Sequence, residues 1–454
     1  MNKFSSFINN VNNKIALFCL FIATSFLPFR HVMNFADASR AGWFSELLAI
    51  SIYTADFFFL FVLFAERKHF FRHSKQNYLL FGAILVFLIA ETLRNPITSL
   101  GIYSLVRIIQ FLVLVYLFSK FLREQKTRLY VSATLVGIGM FESLLGFFQV
   151  IVGHSFGLYF LAEQTLSTGM AGVAKVDLNN GEKLLRAYGT MPHPNILGGF
   201  LVLSICAGLY LFYKYPSKRR ISGISIIIML AGATLTFSRS ALFSIFLLIF
   251  ILFWQFRLWN YFLYRRTIFY TIFIIIGILM IISPLRTAIW HRISPPTSDL
   301  FFSDRIILNE FGTKIFMSDP LFGIGLGNYF NSLTRRAPFG TGLKNWQYDY
   351  PHNTLILVMT DLGIFGTIVI LYFIYKTLKP VHNSTNALLV TLLIISPLIL
   401  LDHYLWTNQA GRVMLVIFLT LIPAILSKHP DTTLREERNN VPTVPTRKNN
   451  QSNL

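Results

Sequence analysis

Charge and cysteine are what this 454-residue chain has least of: 13% of its residues are charged and two are cysteine. Cys19 and Cys206 both sit inside apolar runs, which argues against a disulfide framework and against a thiolate metal site. Acids are scarcer than bases, with 20 Asp and Glu against 40 Lys and Arg. Those that fall in outward segments (Asp177, Glu182, Asp299, Asp304, Glu310, Asp319, Asp349) are scattered. Neither a paired-carboxylate glycosidase site nor an acidic metal-binding pair is visible. GIGLGNY at 323–329 is rich in glycine but lacks the Gly-Lys-Ser/Thr ending and the preceding strand of a nucleotide loop. No elbow motif frames Ser238 or Ser240 as a nucleophile. An internal repeat is also missing, which speaks against a transporter built from inverted halves.

What the chain does have is apolar length. Hydrophobic residues make up 54% of it, gathered in runs at 15–29, 43–64, 78–93, 100–121, 129–152, 195–213, 221–237, 241–256, 267–283, 352–375, 387–401 and 411–426. Runs of about 18 residues or more predict membrane helices, so the expected fold is all-α, a polytopic membrane protein of about 12 transmembrane helices. No small-residue cleavage site follows the first run, which is therefore read as a retained span. The formal charge of +20 does not point to nucleic acid. Its Lys and Arg fall in alternate short loops (67–75, 120–128, 214–220, 257–266, 376–379), and the positive-inside rule puts these loops and both termini in the cytoplasm. The expected organisation is a membrane domain over 1–427 with outward loops at 153–191 and 284–352, then a disordered cytoplasmic tail over 428–454.

The loop at 284–352 is too long for a mere connection and too apolar for disorder. Ile307, Phe311 and Ile315 recur at helical spacing and predict an amphipathic helix against the membrane surface or the bundle. The loop closes on YDYPHNTL, where polar chain turns into a span within a few residues.

Polar residues that a bilayer makes expensive are the candidates for chemistry. Arg239 lies in TFSRS, at an outward turn so tight that two spans nearly merge. Arg186, in LRAYGTMPHPN, ends the other outward loop, with His193 and Asn195 behind it; the prolines there suit a helix start equally well. His352 begins a span, next to Asn353, and imidazole exchanges protons near neutral pH. Arg107 and Glu142 lie inside runs, where a structural pair is the alternative to a site. Asp402, His403 and Arg412 gather at an outward turn and are expected to stand behind the others.

In that order, R-x-Y-G-T-M-P-H-P-N, T-F-S-R-S, S-D-R, D-P-L-F-G-I-G-L-G-N, P-H-N-T-L and D-L-G-I-F-G resemble the bacterial O-antigen ligase and O-antigen polymerase superfamily. The resemblance implies an inner-membrane glycosyltransferase. Such an enzyme takes a glycan from undecaprenyl pyrophosphate on the outer face and gives it to a glycan, lipid or protein acceptor. It implies catalytic roles for Arg186, Arg239 and His352, and places Arg305 at a recurrent loop arginine. Arg305, His193, Asn195, Asn353 and Arg107 are the candidates for substrate binding. No metal or cofactor is expected, since arginine forks can neutralise pyrophosphate unaided. The alternatives are a chain polymerase of the same superfamily and a transporter of a lipid-linked glycan.

Overall fold

The computed structural model describes residues 11–27, 29–33, 50–70, 75–94, 98–178, 182–255, 300–335, 349–379 and 385–426. The expected span at 267–283, the start of the large loop and the tail at 428–454 lie outside them.

Helices dominate. In chain order they are α1 (Val11–Phe26), α2 (Thr54–Phe70), α3 (Lys75–Leu93), α4 (Thr98–Phe121), α5 (Gln125–Val152), α6 (Pro194–Lys214), α7 (Arg219–Leu235) and α8 (Arg239–Gln255), followed by α9 (Leu300–Ser318), α10 (Tyr329–Arg335), α11 (Thr354–Leu378), α12 (Thr385–Leu400), α13 (Tyr404–Thr407) and α14 (Gln409–Leu426). Four of the described helices, Ser99–Phe121, Gln125–Val152, Pro194–Lys214 and Thr354–Leu378, are long and apolar enough to cross a membrane, and five shorter apolar helices accompany them. Two antiparallel hairpins depart from the all-α expectation: β1 (Arg30–Met33) with β2 (Ile50–Tyr53), and β3 (Lys175–Asp177) with β4 (Lys183–Leu185). The apolar run at 43–64 is therefore not one span. Ile50–Tyr53 is strand and the helix starts at Thr54, because short apolar stretches do not declare their period.

Helix α6 is the axis. It packs against α5, α7, α8 and α14, and nearly every side chain from Pro194 to Leu211 is buried. Its small residues Gly198, Gly199, Ser204 and Gly208 let neighbours approach closely. The outer helices are reversed, exposing Phe57, Leu60, Phe147, Phe148, Phe246, Phe365 and Ile368. Apolar faces turned outward suit a hydrocarbon surround.

Two side chains on one face of α5 hold the segment that enters α6. Glu142, fully buried, accepts hydrogen bonds from the Thr190 N–H (2.7 Å) and the Thr190 hydroxyl (2.6 Å). Gln149, two turns on, accepts from the Gly189 N–H (2.8 Å) and donates to the Gly189 carbonyl (2.8 Å). Glu142 is thus a clamp on the YGT segment. Glu142→Ala leaves two buried donors without acceptors, at about 1–3 kcal/mol each. A clear fall in the thermal unfolding temperature of the purified protein is expected, and an unchanged temperature would remove the clamp.

The glycine-rich segment at 320–325 performs a different backbone task. Helix α11 breaks at Gly363, whose φ of 66° and ψ of −178° are not helical. A break at membrane depth strands backbone groups that no water can reach. Here the other segment supplies them: Ile324 N–H donates to Thr360 O (2.9 Å) and Gly325 N–H to Asp361 O (3.2 Å), while Ile364 and Phe365 N–H donate to Pro320 O (2.9 Å) and Leu321 O (3.1 Å). Four bonds clasp two distant segments across the break.

Candidate active site

Each candidate side chain is carried to the site by a local reason. Arg186 follows β4 and is buried, its Nε donating to Thr236 O (2.7 Å) and one Nη to Asn195 Oδ1 (2.7 Å). Thr236 opens the tight turn between α7 and α8, where Phe237 takes a left-handed φ of 49°, a conformation few non-glycine residues adopt. That turn lets α8 start at Arg239 beside Arg186. His193 caps α6: its Nδ1 accepts from the Asn195 N–H (3.1 Å), with Pro194 in the first turn. The capping bond leaves the ring proton on Nε2. Burial, then the charge of Arg186, pushes His193 down to about 3, so it stays neutral at pH 7.

These residues share one cavity of about 570 Å³. Arg186, His193, Asn195, Arg239, Arg305 and His352 all line it. Lys175 and Lys183 from the β3–β4 hairpin join them, as do Asp177, Asp304 and Asp349. Five permanent cations face three carboxylates, and the surplus favours an anionic guest. Sequence reasoning missed both lysines, since loop lysines carry no signal of where they point. Two expected residues are elsewhere. Asn353 caps α11, accepting from the Leu355 and Ile356 N–H groups (3.0 and 3.1 Å). Arg107 forms a two-pronged pair with Asp56 (2.6 and 2.9 Å) and donates to Ser51 O (2.6 Å), which ties α4 to the start of α2. It borders a separate small cavity with Asp361 and Arg412.

His352 is set among charged and aromatic neighbours. Its Nδ1 lies 3.8 Å from Asp402 Oδ1 and its Nε2 lies 4.0 Å from Asp349 Oδ2. At 3.8 Å Nδ1 makes no hydrogen bond, so the attraction to Asp402 is Coulombic. Burial alone would raise the Asp402 carboxyl, but His352, His403 and Arg305 more than offset it and hold that group well below the usual carboxylate range. Asp402 also accepts from Asn195 Nδ2 (2.6 Å), which makes Arg186, Asn195, Asp402 and His352 one continuous chain. On the other side the His403 ring lies 5.2 Å from that of His352 and 5.5 Å from that of Tyr350, which packs on Tyr329 and Phe330. Burial lowers His403 against the opposing pull of Asp349 and Asp402.

The expectation that outward acids are scattered fails at Asp349. Among the described residues, Asp349, His352 and His403 each offer a ligand atom within 4.8 Å of the others. Their donor set suits a divalent transition ion. The same three groups can equally share protons, and the ring-nitrogen to carboxylate separations of 3.7–4.0 Å fit ion pairs.

Residues 224–371 match the protein family described as O-antigen ligase. That stretch, about a third of the chain, is similar to the O-antigen ligase family. No curated protein matches the chain significantly. The O-antigen ligase match runs from α7 into α11 and includes Arg239, Arg305, Asp349 and His352; Arg186, His193 and Asn195 precede it and Asp402 follows it. The cavity therefore joins the O-antigen ligase stretch to helices on both sides.

Proposed function

We propose that the protein transfers a glycan from an undecaprenyl-pyrophosphate carrier to an acceptor hydroxyl at the outer face of the inner membrane, as a ligase, by metal-independent single displacement with inversion. The observation that carries this reading is the convergence of Arg186, Arg239, Arg305 and His352 on one cavity. Pyrophosphate leaves readily once its charge is neutralised, and guanidinium forks neutralise it in two-pronged fashion. Arg186 is oriented by Thr236 O and Asn195; Arg239 and Arg305 enter from α8 and α9 and complete the anion site. His352 takes the acceptor's proton as the oxygen attacks the anomeric carbon and the carbon–phosphate oxygen bond breaks, leaving undecaprenyl pyrophosphate. Asp402 holds the imidazole and stabilises the imidazolium that forms.

Transport of the same lipid-linked glycan is supported less well. Transporters use the freed carbonyls of broken helices to hold ions, whereas the Thr360 and Asp361 carbonyls of α11 are taken by the clasp.

The deciding experiment incubates purified protein with labelled lipid-linked glycan and candidate acceptors and resolves the products by size. A single shift of label onto the acceptor supports the ligase. A ladder of longer lipid-linked chains would make it a polymerase, and recovery of unchanged donor in every condition would overturn transferase activity. In the same assay Arg239→Lys is expected to fail despite keeping its charge, because an ammonium cannot reproduce the fork, and donor binding should weaken with it. Chelator should leave the wild-type rate unchanged. Activity lost to EDTA and restored by a divalent ion would assign Asp349, His352 and His403 to a metal instead.

A further inference from the structure

The transferase reading leaves unused the loop that follows α5. On α5 itself, Leu144, Phe147, Phe148, Ile151 and Val152 are exposed, while Glu142, Gly146 and Gln149 face inward. The exposed set recurs at three- and four-residue spacing, one helical stripe. That stripe does not stop where the helix ends at Gly153. It continues as Phe156, Tyr159 and Phe160, which are 46%, 63% and 71% exposed.

Exposed aromatics on a loose loop would carry little meaning, but this loop is tightly built. The buried Glu163 carboxylate accepts from the Phe156 N–H (2.9 Å), the Leu158 N–H (2.7 Å) and Gln149 Nε2 (2.9 Å). Ser155 N–H donates to Leu166 O (3.1 Å) and Thr168 N–H to Gly153 O (3.2 Å). The rings are thus presented by a fixed frame, so little ordering entropy remains to be lost when they are covered. Composition points the same way: across residues 153–174 Glu163 is the one Asp, Glu, Lys or Arg, and its carboxylate is committed to the frame. A water-facing loop of that length would ordinarily carry charge.

We infer that Phe156, Tyr159 and Phe160 seat in the headgroup zone of the membrane leaflet on the cavity's side. Two features select a lipid interface over a protein partner: the patch continues an apolar helix stripe, and it combines aromatic bulk with one phenolic tip and no charge, the pattern favoured where hydrocarbon meets water. The same loop runs on to Gly172, Val173, Ala174 and Lys175, which line the cavity. Seating the rings therefore fixes the cavity mouth at the depth where a lipid's phosphates lie; this last clause rests on the transferase reading, the insertion itself does not.

The test uses full-length protein in nanodiscs of phosphatidylethanolamine and phosphatidylglycerol, with Cys19→Ala and Cys206→Ala to remove native thiols. Phe160→Cys carries an environment-sensitive fluorophore, and Glu182→Cys, exposed on the hairpin and outside the cavity lining, serves as the water-facing comparison. Tyr159→Cys replaces Phe160→Cys should the latter reduce the yield of folded protein. Lipid bearing a shallow nitroxide should quench the loop label severalfold more than the hairpin label, and the loop label's emission should be blue-shifted. Equal quenching with water-like emission at both positions would overturn the insertion. A blue-shifted but unquenched loop label would overturn it too, by showing cover from protein, whether a second copy or an acceptor. No substrate or turnover enters the readout, so an inactive preparation cannot be mistaken for failed insertion.

Discussion

His352→Ala should lower turnover on the order of a hundredfold or more while leaving donor binding nearly intact, the loss typical of a positioned base. The geometry separates the two effects. In the proposed reaction pyrophosphate meets guanidinium groups from β4–α6, α8 and α9, whereas His352 stands at the start of α11 between Asp402 and Asp349 at 3.8 and 4.0 Å. Single-turnover rates and binding of a labelled lipid-linked glycan measure the two quantities independently. Asp402→Asn is the companion: it removes the charge that holds the imidazole and should cut turnover by about tenfold or more, with donor affinity again little changed. His193 cannot take over as base. Its Nδ1 lone pair is engaged by the Asn195 N–H, and its depressed pKa makes it a weak proton acceptor. Full activity in His352→Ala would move the base to Asp349.

Gly363→Ala should deplete folded protein outright. The backbone there, φ 66° and ψ −178°, lies in a region that is essentially glycine-only and costs a side chain about 1–3 kcal/mol in strain. An added Cβ would also overlap the Leu321 carbonyl and the Gly323 nitrogen, which are backbone atoms of the clasp and cannot swing aside. Loss of the clasp bonds follows, so the total should exceed about 4 kcal/mol, the level reserved for severe defects. Gly82→Ala is the control. Nothing lies within 4 Å of its added Cβ, and in a helix interior alanine should gain up to about 1 kcal/mol. Yields of monodisperse protein and thermal unfolding in detergent compare the two, and a well-folded Gly363→Ala would refute the clasp.

The long spans were legible because the bilayer dictates them: α4, α5, α6 and α11 stand where apolar runs of sufficient length predict them. Arg186, His193, Asn195, Arg239, Arg305 and His352 were legible because their costs and motifs are local, and they meet in one cavity. What stayed hidden depends on pairing across distance. Arg107 looks expensive in sequence, but only the fold reveals Asp56 opposite it. Asp349 looks isolated until His403, from a turn beyond α12, comes within 3.7 Å. The strand at Ile50–Tyr53 has the composition of the helix it precedes. GIGLGN is uninformative read as a ligand loop, because its task is to satisfy the backbone of another segment.

That task sets an order on biogenesis. A span normally enters the bilayer as a finished unit, with every amide of its backbone already paired along its own axis. Helix α11 cannot be finished in this way, because the partners for the groups around Gly363 reside in residues 320–325, which must be delivered to the same depth. Until the two segments meet, the nascent span carries raw amides that hydrocarbon rejects. Completion of α11 is therefore contingent on delivery of the preceding segment, and the half of the chain that carries His352 and Asp402 can lock only after the two segments have met.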